Sequence, residues 1–271
     1  MEQYNRLWRA FILIGLIAIT VQQLIYADFR PVVLPSAYPS WLGQRLIWTW
    51  IFSIALIAAC TCVLVEFKAR TASLLMAVMF LLLYIFFQVP SVISGPYKFH
   101  LGLWTTPFKE LSFSGAAFVI AGTFPQENSA PDFIKQLGKL IPAGKYFFAF
   151  TLGLFGVIHF AYPEFCASLV PRWMHFYYFW MYFGAVGLIT GGLGMMIKPT
   201  RHIAALLSGI MLFLWVILLH IPRAIADPHS GNGNEWTSVF EALAFSGIAF
   251  IISGKSSRSI LISASATKKG T

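Results

Sequence analysis

The residues that could do chemistry in this sequence are histidines and charged side chains near the ends of long apolar segments. His159 and His220 each lie near the end of such a segment, and Arg223 follows His220 by three positions. Placing an ionisable group inside an apolar segment costs free energy, so such a group is first taken to indicate a function. Histidine titrates near neutral pH and could transfer a proton, contact a ligand or bind a metal. The predicted ligand-binding candidates are His220, His159, Arg223, Glu241, Glu164 and Trp236.

His220 is the strongest of these candidates, and it also has a purely structural explanation. Pro222 follows it by two residues, so the apolar helix is expected to stop or kink there. Carbonyl groups freed by that break, together with the helix C-terminus, would stabilise a protonated imidazole. Three roles are therefore open for His220. It forms hydrogen bonds with those carbonyls, it transfers a proton or contacts a ligand, or it ligates a metal or haem. Haem is disfavoured because His159 is the only candidate partner and there is no CxxCH motif.

The other candidates have structural alternatives as well. Arg223 could pair with Asp227 or Glu164, or extend to lipid phosphates. Ser238 and Glu241 match the S-x-x-E capping box at the predicted start of the last helix, although Glu241 could also face a cavity. The three cysteines form no CxxC pair, so neither a redox couple nor a metal site is indicated.

Composition places the chain in a membrane. Hydrophobic residues make up 58% of its 271 residues and charged residues 11%, with a mean hydropathy of +0.73. Soluble proteins carry about 25% charged residues, so a soluble enzyme, a disordered chain and a disulfide scaffold are excluded. The apolar segments predict an all-α, polytopic membrane protein with about eight transmembrane helices, near residues 7–27, 46–65, 71–93, 107–122, 145–161, 176–197, 202–221 and 239–253. The first segment is interpreted as a membrane span rather than a signal peptide, because no small-residue cleavage site follows it.

The basic residues predict the orientation. Thirteen of the nineteen Lys and Arg residues lie on the side of the two termini and the even-numbered loops, together with only four acidic residues. Six basic and six acidic residues balance on the other side. Lys and Arg are enriched in cytoplasmic loops, so both termini are predicted to be cytoplasmic. The net charge of +9 is therefore a topology signal, and nucleic acid is not expected as a partner.

The sequence contains an internal duplication. At an offset of 132 residues, Phe113-Ser114-Gly115 matches Phe245-Ser246-Gly247, and near the start of each half an offset of 136 aligns Gln23 with His159. We predict a first four-helix membrane copy (1–122), a cytoplasmic linker (123–144), a second four-helix copy (145–254) and a cytoplasmic tail (255–271). Each copy has an even number of helices, so both insert in the same orientation and form two parallel four-helix bundles.

The two copies differ in their ionisable residues. Where the second copy has His220 and Arg223, the first has Gln88 and Ser91. Glutamine can form hydrogen bonds but cannot titrate near neutral pH. We therefore expect any ligand site to lie in the second copy near the non-cytoplasmic face, with the first copy as a packing partner.

The second copy resembles the DoxX-like family of small bacterial membrane proteins, which are built on a four-helix unit. The residues that carry the resemblance are Leu218-Leu219-His220-Ile221-Pro222-Arg223, Asn234-Glu235-Trp236-Thr237 and Phe240-Glu241-Ala242-Leu243-Ala244-Phe245-Ser246-Gly247. The match is good over residues 145–254 and weaker over 11–122. It implies a membrane subunit of a quinone-linked redox complex in the bacterial inner membrane, with other membrane or redox subunits as partners.

The chain has no paired cysteines, haem motif or nucleotide-binding domain, so electron transfer would require a bound quinone or a partner protein. Quinone is therefore the candidate cofactor, and no residue is assigned a catalytic role. The alternative is a non-catalytic scaffold or accessory subunit of a membrane complex. A transporter is disfavoured because the repeat is parallel and no carboxylate is clearly predicted at mid-membrane.

Overall fold

The structure, a computed structural model, describes residues 2–34 and 43–267, with side chains for residues 4–34 and 43–254. These residues are mostly helical and contain no strand. The helices are α1 (Glu2–Ile25), α2 (Arg45–Leu64), α3 (Ala69–Ile93), α4 (Thr105–Ala121), α5 (Asp132–Leu137), α6 (Gly144–Ala161), α7 (Pro163–Ser168), α8 (Tyr177–Met196), α9 (Arg201–Ala226) and α10 (Asn234–Thr267). Among the described residues, seven helical segments are long and apolar enough to cross a membrane, which confirms the all-α membrane class.

The centre of the molecule is formed by α4 and α10. The 17 residues of α4 span about 26 Å, slightly less than the roughly 30 Å hydrocarbon core of a bilayer. Thirteen of them are buried. The apolar part of α10 is 78% buried, whereas the other long spans are 28–50% buried. The other long helices therefore surround this central pair and present their remaining apolar surface to lipid.

The two copies are interlocked. Within each copy consecutive long helices pack together, but α1 packs against α10 of the second copy, and α6 packs against α4 of the first. In the described residues α1 and α4 make little or no contact. The two predicted four-helix units are therefore not separate bundles, because the first helix of each completes its packing on the last helix of the other.

Glycines on the central helices allow these two close contacts. A Cβ atom added at Gly247 of α10 would lie 2.7 Å from the carbonyl oxygen of Trp8, and one added at Gly115 of α4 would lie 2.6 Å from that of Gly144. Both distances are too short for a real contact, so only glycine fits at either position. Gly115 and Gly247 are related by the 132-residue offset, and Trp8 and Gly144 by the 136-residue offset. The two crossings are therefore equivalent.

Equivalent residues of α4 and α10 also contact each other where these two helices pack together. The rings of Phe113 and Phe245 lie 5.7 Å apart in an edge-on arrangement. One turn away, Lys109 and Glu241 form an ion pair. Each pair is related by the 132-residue offset. An approximate two-fold axis therefore runs between these two helices.

Of the two outcomes expected at Pro222, a stop or a kink, the helix does not stop. The helix α9 continues to Ala226 through a π-helical turn at Val216–His220. A matching π turn occupies Tyr84–Gln88 of α3, 132 residues earlier. Each π turn ends two residues before a proline, Pro222 or Pro90. Proline has no N–H and its ring crowds the carbonyl four residues back, and the wider turn accommodates both effects without ending the helix.

The predicted bounds of the last helix are wrong. Helix α10 begins at Asn234, five residues before the predicted start, and continues to Thr267 rather than ending at residue 253. Ser238 thus lies inside the helix, where its hydroxyl donates to the carbonyl of Asn234, so the predicted capping box does not form. The chain reverses at Gly233, whose positive φ of 76° sets the start of the helix. The predicted tail is helical as far as Thr267, and residues 268–271 lie outside the described residues.

The bundle has two ends. The linker end carries the segment between α4 and α6, where Arg9 bonds to Glu66 and Thr123. The loop end carries the first loop, after α1, and the last loop, before α10. These two loops touch, because Arg30 of the first loop donates to the carbonyl of Asn232 in the last loop at 2.8 Å. The candidate site residues lie towards the loop end.

Candidate functional site

Lys109, Glu241, His220 and Arg223 form a group at the loop end that we call the charged cluster. At its core is an ion pair between the two copies. Lys109 Nζ of α4 lies 2.6 Å from Glu241 Oε2 of α10. The Glu241 side chain is 8% exposed and the Lys109 side chain 28% exposed. Glu241 is therefore not a helix cap, and its charge is balanced by Lys109 of the other copy.

His220 and Arg223 lie beside this pair. The π turn of α9 places His220 within electrostatic range of Lys109 and Arg223. Its Nδ1 atom is buried and has no hydrogen-bond partner among the described residues. Arg223 Nη2 contacts Glu235 Oε1 at 2.7 Å, rather than pairing with either of the acids that the sequence suggested. Thus three predicted residues, His220, Arg223 and Glu241, do come together.

Arg30 is a buried residue of this region that sequence reasoning missed. It lies in the first loop, is 3% exposed, and donates from Nη1 to the carbonyl of Asn232 at 2.8 Å. Its guanidinium also lies over the ring of Tyr26. Burial lowers the pKa of Arg30, partly offset by Tyr26 and Glu241. The Nε and Nη2 atoms, which form one edge of the guanidinium, have no hydrogen-bond partner in the described residues.

Glu110 is the second residue that was missed. It is completely buried on α4, and neither of its carboxyl oxygens has a hydrogen bond of normal geometry within the described chain. The side chain of Gln88, at the end of the π turn in α3, lies beside it. Gln88 also donates from Nε2 to the carbonyl of Pro31 at 2.8 Å. Glu110 therefore faces the interior of the first copy, next to the segment that carries Arg30.

The first copy also carries buried ionisable residues that the second copy lacks. The residue of the second copy equivalent to Glu110 is Ala242, and the one equivalent to Arg30 is Cys166. The first copy is therefore more than a packing partner, because it supplies the buried carboxyl and guanidinium groups. The sequence could have pointed to Glu110 and Lys109, because both are ionisable residues inside the predicted span 107–122. No pattern in the sequence marks burial of an arginine within a loop.

His159 does not join the charged cluster. It lies near the end of α6, where Nδ1 is 2.7 Å from the carbonyl of Phe155 and the ring stacks on Trp215 at 6.4 Å. The histidine borders a groove of about 920 Å³ between α8 and α9. The groove is lined mainly by apolar side chains, with Thr190 among its few polar residues. Its outer rim is exposed, so in a bilayer it opens to the lipid phase.

The last two candidates neither form ion pairs in the charged cluster nor line the groove in the described chain. Glu164 is exposed in the first turn of α7. Trp236 stacks on Phe240 and packs against a small apolar cluster that includes Val216 and Ala224. Within the described residues no group of three or more His, Cys, Asp or Glu side chains could hold a metal ion.

The chain matches no protein-family model, no curated protein and no solved structure. Two places in the molecule contain groups that could do chemistry. One is the buried charged region at the loop end, which contains groups from both copies. The other is the lipid-facing groove of the second copy, which ends at a histidine.

Proposed function

We propose that this protein is a DoxX-like membrane subunit of a quinone-linked redox complex and that it binds quinone in the groove between α8 and α9. The observation that carries the proposal is the groove itself, which is apolar, open to lipid and bordered by His159. We place the protein in the bacterial inner membrane with the linker end in the cytoplasm, as the distribution of basic residues favours.

The dimensions and surface of the groove suit a lipid-soluble ring with an isoprenoid tail. Its volume of about 920 Å³ lies in the range typical of ligand sites, roughly 300–1,000 Å³. Gly187, Gly191 and Gly194 of α8 line it without adding side-chain bulk. Exposed apolar residues such as Phe183 and Leu207 continue the surface towards lipid. A ligand could therefore enter laterally from the bilayer.

His159 would act on the head group. Its Nδ1 must donate to the Phe155 carbonyl, because a carbonyl oxygen can only accept, and this leaves Nε2 with its lone pair. No protein group in the described chain occupies Nε2. The stack on Trp215 fixes the plane of the imidazole. His159 is thus suited to accept a hydrogen bond, and then the proton, from a quinol hydroxyl.

When bound, a quinone supplies two-electron chemistry coupled to protons. This chain would hold the ring and take up a proton at His159 Nε2, while a partner subunit exchanges the electrons. The predicted partners are therefore membrane or redox subunits.

The alternative is a non-catalytic scaffold, and a specific observation favours it. Three ion pairs lie at the loop end. Lys109–Glu241 joins the two copies, and Arg223–Glu235 and Arg45–Asp28 each close one loop. Such pairs hold the loops and central helices in a fixed arrangement even if no ligand binds.

Extraction of bound lipids from the purified protein distinguishes these functions. We expect stoichiometric quinone in the wild type and its loss in Thr190→Trp, because Thr190 lines the groove. Ala58→Trp is the matched control, since Ala58 is the equivalent exposed residue of α2, 132 positions earlier. His159→Gln should weaken quinone binding about fivefold, the value of one hydrogen bond. Phospholipid without quinone in the wild type, or equal quinone in both tryptophan variants, would contradict the proposal and favour the scaffold.

A further inference from the structure

Two buried charged residues remain without an ion pair. Four charged side chains are buried in the described part of the chain, namely Arg9, Arg30, Glu110 and Glu241. Arg9 pairs with Glu66 and Glu241 with Lys109. Arg30 and Glu110 have no such partner among the described residues. Gln88 links the segments that carry them, since its side chain lies beside Glu110 and donates to the carbonyl of Pro31, the residue after Arg30.

The surroundings of Glu110 contain no counter-charge. On its own helix, Lys109 is engaged by Glu241 of α10. Helix α3 presents Gln88, and its Tyr84 packs on Phe108. Helix α6 presents Thr151, whose hydroxyl donates to the Phe108 carbonyl. Within the described residues, no charged side chain acts on the Glu110 carboxyl group.

This environment accommodates a neutral carboxylic acid better than a carboxylate. An isolated carboxylate in an apolar interior is strongly disfavoured, whereas a neutral acid needs only a hydrogen-bond partner. The amide of Gln88 can accept from the acid hydroxyl or donate to the acid carbonyl. Both carboxyl oxygens of Glu110 are buried and out of contact with solvent. The site is thus closed to any ligand larger than a proton unless the helices separate.

We propose that Glu110 is a proton-binding site in the first copy and that Arg30 receives the carboxylate when the proton leaves. The O–H bond of the acid breaks, the proton passes to water at the loop end, and the charge left on Glu110 attracts the free Nε–Nη2 edge of Arg30. That edge has the geometry that binds a carboxylate through two parallel hydrogen bonds.

Proton release then has a structural consequence. Arg30 also holds the Asn232 carbonyl in the last loop through Nη1. Movement of the guanidinium towards Glu110 weakens this contact and leaves Gln22 of α1, which is bonded to Gly233 and Thr237, to hold the end of α1 to the start of α10. The protonation state of Glu110 is thereby coupled to the contact between the first and last loops. The proposal does not depend on quinone binding.

Infrared difference spectroscopy of the whole protein in lipid nanodiscs tests the proton site. When the pH is stepped from mildly acidic to alkaline, we expect loss of a carboxylic-acid C=O band in the wild type. The band should be absent from Glu110→Gln and present in Glu235→Gln, which removes an ion-paired carboxylate. No band in the wild type, or a band that persists in Glu110→Gln, overturns the proposal.

The role of Arg30 is tested by the midpoint of the same band. Removal of the counter-charge in Arg30→Met should move the midpoint upward by about one pH unit or more, because the carboxylate loses its partner. Arg45→Met is the control, since Arg45 pairs with Asp28 in the same region. If the band has the same midpoint pH in Arg30→Met as in Arg45→Met, Arg30 does not bind the Glu110 carboxylate and that part of the proposal is wrong.

Discussion

The ion pair between Lys109 and Glu241 offers a quantitative test of how the two copies are joined. We expect Lys109→Met to destabilise the protein more than Glu241→Gln. The first change leaves Glu241, whose side chain is 8% exposed, as a buried charge without a partner. The second leaves Lys109, which is 28% exposed and has a long flexible stem that can turn to water.

The magnitudes follow from the distance and the burial. At 2.6 Å and an effective dielectric constant of about 20, the gross attraction is about 6 kcal/mol. Desolvation cancels much of it, and breaking a buried pair costs roughly 3–5 kcal/mol. Because Lys109 is partly exposed, we expect about 3 kcal/mol for Lys109→Met and about 1.5 kcal/mol for Glu241→Gln. The double variant should also cost about 1.5 kcal/mol, which gives a coupling of about 3 kcal/mol.

Exchange of the two residues adds a second test. Positions 109 and 241 are equivalent, so Lys109→Glu combined with Glu241→Lys places the same pair across the two-fold axis. Arg30 lies within electrostatic range of position 241, and a lysine there would be repelled. We therefore expect most of the stability to return, with a residual cost of about 1 kcal/mol.

Reversible unfolding in mixed detergent micelles, followed by far-ultraviolet circular dichroism, measures these free energies. Each single variant, the double variant and the exchange should be compared with the wild type under one condition. Additive effects of the two single changes, or an exchange as damaging as Lys109→Met, would show that the pair does not join the copies.

Two further predictions concern packing and cysteine chemistry. Gly247→Val and Gly115→Val should each cost about 3 kcal/mol in the same unfolding assay, because the new Cβ would clash with a backbone carbonyl; Gly153→Val, where a Cβ meets nothing within 4 Å, is the control that should change little. Burial raises the pKa of Cys166, so its alkylation should require a more alkaline pH than that of a free cysteine thiol, and rapid alkylation of Cys166 at neutral pH would contradict this.

The helices could be predicted from the sequence because each apolar run is long and ends in polar residues. The ends of α9 and α10 could not. Pro222 normally marks a helix end, and the π turn that lets the helix pass it depends on packing against the rest of the bundle. The start of α10 is set by the backbone of Gly233, whereas the capping pattern that begins at Ser238, five residues downstream, indicated a later start.

The interlocked arrangement could not be predicted for a different reason. The motif Phe-Ser-Gly occurs in both α4 and α10, so each helix offers the same glycine surface to an incoming first helix. Local sequence cannot decide whether α1 packs on α4 of its own copy or on α10 of the other. The choice depends on the connections between helices and on contacts that only the assembled chain provides.

The arrangement of the candidate site follows from this exchange of partners. Because α1 packs on α10, the first loop that continues from α1 is carried over the last loop, and Arg30 reaches the Asn232 carbonyl. Because α4 and α10 meet on the two-fold axis, Lys109 of one copy neutralises Glu241 of the other. Charges that look like independent loop residues in a linear sequence therefore form one region at the loop end. A substitution of a charged residue in either copy should therefore change the loop-end region of both. The chemistry of the histidines in the second copy depends on the carboxyl and guanidinium groups of the first.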